Sequence, residues 1–97
     1  MTFDVASDLS SLSENLRLLG EEIRAKMHSV RDEDPECDQK KFNFRELQHQ
    51  ALAICGKYDE TYGTFIQHQE VDTYVSHAKL IRDGIEKVRS KLKIQAS

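Results

Sequence analysis

Apolar residues recur along this chain in alternating steps of three and four, the spacing of side chains that share one face of an α-helix. The middle of the chain, Phe42 to Ile66, carries the widest such pattern. With Phe44 at position a of a seven-residue repeat lettered a to g, positions a and d hold Phe44, Leu47, Ala51, Ile54, Tyr58, Thr61 and Phe65. A second row at b and e holds Leu52, Cys55, Tyr62 and Ile66. On a helical wheel the positions d, a, e and b adjoin, so the apolar arc covers roughly half the circumference. One neighbouring helix cannot cover an arc that wide. Either two helices of the same chain cover both rows, or the b/e row receives another protein. Gly56 and Gly63 lie beside that row. They mark either the close approach of another helix or a helix end near Gly63.

Two further runs flank this one. Leu9, Leu12, Leu16, Leu19, Ile23 and Val30 form a first seam, with Lys26 at its one polar position and Met27 beside it. Lys26 is expected to lie along the seam with its ammonium in water. Ser7 or Asp8 is placed to cap this helix, Ser11 and Glu14 have capping-box spacing, and residues 1–6 read as a frayed lead-in. Phe3 and Val5 are candidates for a hydrophobic staple there. The stretch RDEDPECDQ from Arg31 to Gln39 then breaks the rhythm. Pro35 removes an amide donor and turns Asp34 away from helical geometry, and Asp38 is placed to cap the middle helix. After the middle run the register slips by one residue near 67–70, and Val71, Tyr74, Ala78, Ile81, Ile85, Val88 and Leu92 make a third seam.

The patterning therefore predicts an all-α fold, a three-helix up-down-up bundle with coiled-coil-like heptad packing, in one domain spanning 1–97. The helices are expected at about 7–31, 39–66 and 70–95, with an acidic loop at 32–38. The alternative is a helical hairpin with one long helix from about 40 to 95, acting as a coiled-coil subunit, because a one-residue slip fits a tight turn or a defect in a continuous helix. Neither Pro nor Gly marks residues 67–70. Charge decides for the bundle: up-down-up order brings the acidic loop to the same end as Lys87, Arg89, Lys91 and Lys93, and those cations also suit the negative pole of the last helix.

Composition narrows the function classes. A net charge of −3 argues against a dedicated nucleic-acid binder, which neutralises many phosphates. No apolar run approaches the length of a membrane span. The opening MTFDVASDLSS lacks the basic region and apolar run of a signal peptide. Two cysteines are too few for a disulfide framework, so an intracellular, reducing, cytoplasmic setting is the expectation.

Little catalytic or metal-binding chemistry is visible. An EF-hand loop begun at Asp32 would place Cys37 where Gly is required and Asn43 where the bidentate Glu belongs. His28, His49, His68, His77, Cys37 and Cys55 show no ligand spacing for zinc, and Cys55 falls in an apolar row, where it reads as a small buried hydrophobe. Neither cysteine is expected in a disulfide or on a metal. No phosphate loop and no nucleophile elbow occurs. No cofactor is expected, and no residue motif singles out a family among the three-helix bundles of this size.

What remains is a surface. Leu18, Leu80 and Ile94 fall on the outer side of their helices, and Leu80 is grouped with Leu52, Cys55, Tyr62 and Ile66 as a candidate partner-binding set. The expected function is that of a non-enzymatic helical adaptor or small subunit of a larger assembly. It would bind a partner helix, or a second copy of itself, through the middle helix. The alternative is weak nucleic-acid or anionic-surface binding through Lys79, Arg82 and the basic end of the last helix. Asp83 and Glu86 interrupt that end, and no aromatic residue is interleaved for base stacking.

Overall fold

The computed structural model describes residues 3–96, apart from the side chain of Ala96. It contains three helices, α1 (Val5–His28), α2 (Cys37–His68) and α3 (Val71–Ala96). They pack in up-down-up order into a bundle measuring 53 × 23 × 15 Å. Cross-helix bonds fix the directions. The Tyr58 hydroxyl, late in α2, donates to the carbonyl of Leu9, early in α1, at 3.1 Å. Arg89, late in α3, donates to Glu22, late in α1, at 3.4 Å. α1 and α3 thus run parallel, and α2 runs against both.

α1 starts earlier than its sequence suggests. Asp4, rather than Ser7 or Asp8, is the cap: its carboxylate accepts the Ser7 amide at 3.2 Å. That uses the usual three-residue reach of an N-cap, and it makes Val5 a buried helical residue. The Ser11–Glu14 capping box is absent, because Glu14 lies mid-helix and pairs with Arg17. Phe3 does not staple within α1 but packs on the ring of Tyr74 in α3, centroids 6.1 Å apart. Met1 and Thr2, the rest of the expected lead-in, lie outside the described residues. Lys26 is exposed, while Met27 and Val30 pack on the core from α1 and the residues just after it.

Pro35 sits in the turn before α2, and Glu36 occupies the cap position without a side-chain bond. Asp38 is in the first turn, where its charge suits the helix dipole, instead of capping. Asp34 organises this entry. Its carboxylate accepts the Glu36 amide at 2.8 Å and pairs with Lys40. The Lys40 ammonium, then the Glu36 amide, hold the Asp34 carboxyl below the usual range. Asp32 pairs with Lys41. Both of these loop carboxylates are therefore bound to the start of α2 rather than to the basic end of α3. The end of α3 does share that pole of the bundle, since Gln95 lines the same depression as Glu33 and Asp34.

α2 runs without interruption through Gly56 and Gly63 and stops at Gln69. That residue adopts the left-handed conformation (φ 54°, ψ 34°), and its amide donates to the Phe65 carbonyl at 2.7 Å. This is the left-handed helix stop normally made by Gly. It excludes one continuous helix from about 40 to 95.

The core is one cluster drawn from all three helices. α1 contributes Val5, Leu9, Leu12, Leu16, Leu19 and Ile23; α3 contributes Tyr74, Ala78, Ile81, Ile85, Val88 and Leu92. Phe44, Leu47 and Ala51 enter from α2, with Ile54, Tyr58 and Phe65 half-buried around them. Each fully buried aliphatic side chain is worth about 1.5–3 kcal/mol over its exposed state. The third seam starts at Tyr74; Val71, the first residue of α3, is exposed. Close helix approach occurs at Gly84, where a Cβ would lie 3.1 Å from Cδ1 of Ile54. At Gly56 and Gly63 a Cβ would meet nothing within 4 Å, so these glycines mark neither a packed crossing within the bundle nor a helix end.

Candidate partner-binding surface

α2 presents its seam inward and its b/e row to the side of α1. Leu52 and Cys55 border an open depression of about 260 Å³ shared with Leu16, Gly20 and Arg24 of α1. Tyr62 borders a second, of about 480 Å³, with Ala6, Ser10 and Ser13. Leu9 and Glu14 complete the α1 wall of this second depression, and Tyr58 lies beside Tyr62 on the α2 side. Leu52 is 67% exposed, Ile66 56% and Tyr62 47%. Cys55 is half-buried, and burial first, then the Asp59 carboxylate, push its thiol up. A thiol so placed stays protonated and poorly nucleophilic at neutral pH.

Leu80 does not join this group. Gly84 abuts Ile54, and Lys91 donates to Gln50 at 3.4 Å. The row 80, 84, 87, 91 is therefore the α2-facing side of α3. Leu80, 59% exposed, stands at that row's outer edge, on the flank of α2 away from α1. The body of α2 separates it from Leu52, Cys55 and Tyr62. Phe42, 54% exposed on the first turns of α2, belongs to the apolar surface of this helix although the row pattern does not single it out. Its signal in the sequence is an aromatic residue two positions before the seam, off both apolar rows.

The basic residues of α3 are largely engaged within the bundle. Arg82 binds Asp8, Arg89 binds Glu22 and Lys79 pairs with Asp83. Asp8 in turn accepts the hydroxyl of the buried Tyr74 at 2.5 Å. Burial, and then that bond, push the Tyr74 phenol well above its ordinary value. This polar cluster joins the start of α1 to α3. Spacing along the chain does not bring Asp8 and Tyr74 together; only the parallel packing of first and third helices does.

Of the four histidines, His68 and His77 line one small crevice, about 10 Å³, together with Glu70. Glu70 is already an acceptor for the Thr73 hydroxyl at 3.0 Å. Among the described residues no three His, Cys, Asp or Glu side chains converge as a metal site. Cys37 is buried at the start of α2, and both cysteines are free thiols. No helix among the described residues is long and apolar enough to cross a membrane.

The architecture is a three-helix bundle whose middle helix carries exposed apolar side chains, Leu52, Tyr62 and Ile66 among them. The chain matches no family model, no curated protein and no solved structure.

Proposed function

We propose that this chain is a non-enzymatic helical adaptor or small subunit of a larger assembly, and that it takes a partner helix along the exposed flank of α2. One observation carries this reading: Leu52, Tyr62 and Ile66 are exposed on one side of a single helix, and Leu52 and Tyr62 border the open depressions between α1 and α2. An amphipathic helix laid along such a flank buries anchors spaced by turns of the helix. Isolated exposed apolar residues are ordinary, whereas a row of them on one element is what partner sites present. The intracellular setting belongs to the same proposal.

The test is a comparison of baits. Immobilised wild-type chain should retain a stoichiometric polypeptide from source lysate, and the Leu52→Glu, Ile66→Lys double variant should lose it while keeping its helicity and Tm. Equal retention by both would move the binding surface elsewhere. Recovery of salt-sensitive nucleic acid instead of protein would favour the basic end of α3.

A further inference from the structure

We propose that the helix occupying the exposed flank of α2 is α2 of a second copy of this chain, running antiparallel in one defined register. The inference rests on the partner-helix reading and names the partner. It comes from the order of residues along the outermost stripe of α2. Starting from Phe42, steps of three and four reach Arg45, His49, Leu52, Gly56, Asp59, Gly63 and Ile66, and every one of these residues is exposed. The stripe is roughly 36 Å long at 1.5 Å per residue.

The step pattern reads the same in both directions, so a two-fold axis at the level of residue 54 superposes the stripe on itself. Each position then meets a complementary one. Phe42 faces Ile66 of the second copy, apolar against apolar at both ends. Leu52 faces Gly56, where the surface is open enough that a Cβ meets nothing within 4 Å. His49 faces Asp59, and Arg45 stands over Gly63, one turn from the same Asp59 carboxylate. An isologous contact requires this self-complementarity, with residue i on j and j on i. In-register parallel pairing keeps apolar on apolar at both ends but loses the rest: Asp59 would face Asp59, Arg45 would face Arg45, and glycine would lie against glycine. Charge thus selects the antiparallel direction, and the large-on-small fit of Leu52 over Gly56 selects the register.

Sedimentation equilibrium of the purified chain over a wide concentration range is the experiment. The expected result is reversible growth in mass from 11.2 kDa to twice that value. Gly56→Leu fills the space that Leu52 needs and replaces a poor helix former by a good one, so it should abolish dimerisation while raising the Tm measured at dilute protein, where the parent is monomeric. Arg45→Glu and Asp59→Arg should each weaken the dimer by about ten-fold, and the combined variant should recover most of that loss. A wild-type chain that stays at 11.2 kDa overturns the proposal, and so does a dimer indifferent to Gly56→Leu and to both charge reversals. The broader reading fails separately, if the chain neither dimerises through this stripe nor retains any polypeptide sensitive to Leu52→Glu.

Discussion

α1 and α2 obey the same heptad rhythm and end in different situations. α1 buries all six of Val5, Leu9, Leu12, Leu16, Leu19 and Ile23, and among its large apolar residues only Leu18 is exposed. α2, longer at 32 residues, buries Cys37, Phe44, Leu47, Ala51 and Thr61 and leaves Phe42, Leu52, Tyr62 and Ile66 outside. The difference is one of arc width. In a three-helix bundle each helix has two neighbours, which cover positions a and d and brush e and g. An apolar residue at b or f is beyond the reach of either. A narrow stripe such as that of α1 is consumed by folding. A wide one such as that of α2 leaves a remainder.

The largest expected effect tests the consumed stripe. Leu19 is fully buried at the centre of α1, so Leu19→Ala should lower stability by about 2–5 kcal/mol in urea titration. Ile54→Ala removes a half-buried side chain that packs on Gly84, and it should cost less than Leu19→Ala. Equal costs would mean that the α2 seam is as closed as that of α1, and the contrast would collapse.

Glycines sharpen the comparison at the next scale. Gly84→Leu drives a side chain into Ile54 across the α2–α3 contact and should destabilise by about 1–3 kcal/mol. Gly63→Ala adds a methyl where there is open space, at a helical glycine without positive φ, and should stabilise by about 0.4–1 kcal/mol. Opposite signs are expected from thermal denaturation of the two variants. A destabilising Gly63→Ala would show that the outer face of α2 is crowded in the isolated chain.

A smaller effect belongs to the polar cluster between α1 and α3. Tyr74→Phe deletes the hydroxyl bonded to Asp8 while Arg82 still holds that carboxylate, and it should cost about 1–2 kcal/mol. The pH dependence has a definite sign. The folded state raises the Tyr74 pKa above its ordinary 10.0, so above pH 10 the unfolded chain has lost a proton that the folded chain keeps. Stability contributed by this group is complete below pH 10 and declines as pH rises beyond it. Chemical denaturation at pH 9 and 11 should show a smaller alkaline loss for Tyr74→Phe than for the parent; identical losses would remove Tyr74 as the cause.

The three seams are legible in the sequence because burial of a helix face imposes a period that survives in the letters. The alternation through Leu9–Ile23 and Tyr74–Leu92 translates directly into core. The turn at Gln69 is not legible in the same way. Its stop is a left-handed backbone at a residue type that rarely adopts it, and the only trace is a one-residue slip in the seam. The cap at Asp4 is hidden because Ser7 and Asp8 carry the same capping chemistry nearer the periodic run. For the candidate surface, the pattern separates Leu52 and Ile66 from the seam. It does not place Leu80, whose side of α3 depends on how that helix is rotated against α2, and rotation is settled by contacts such as Gly84 on Ile54.

The smallest expected effect is the one on which the functional argument turns. Leu52 and Ile66 are mostly solvent-exposed in the isolated bundle, so charging them costs little desolvation and opens no cavity. Leu52→Glu and Ile66→Lys should each change stability by no more than about 0.5 kcal/mol, the ordinary range for surface substitutions. A charge placed in the seam, as in Leu47→Glu, would by contrast bury an unpaired carboxylate in the core and unfold the chain. The measurement is urea denaturation at dilute protein, where association contributes least, and then the same titration at high concentration. Concentration should raise the midpoint of the parent and leave that of Leu52→Glu unmoved, because mass action stabilises only a chain that associates. If Leu52→Glu instead unfolds the dilute chain, the row is core that the bundle needs for itself, and α2 has no remainder to offer a partner.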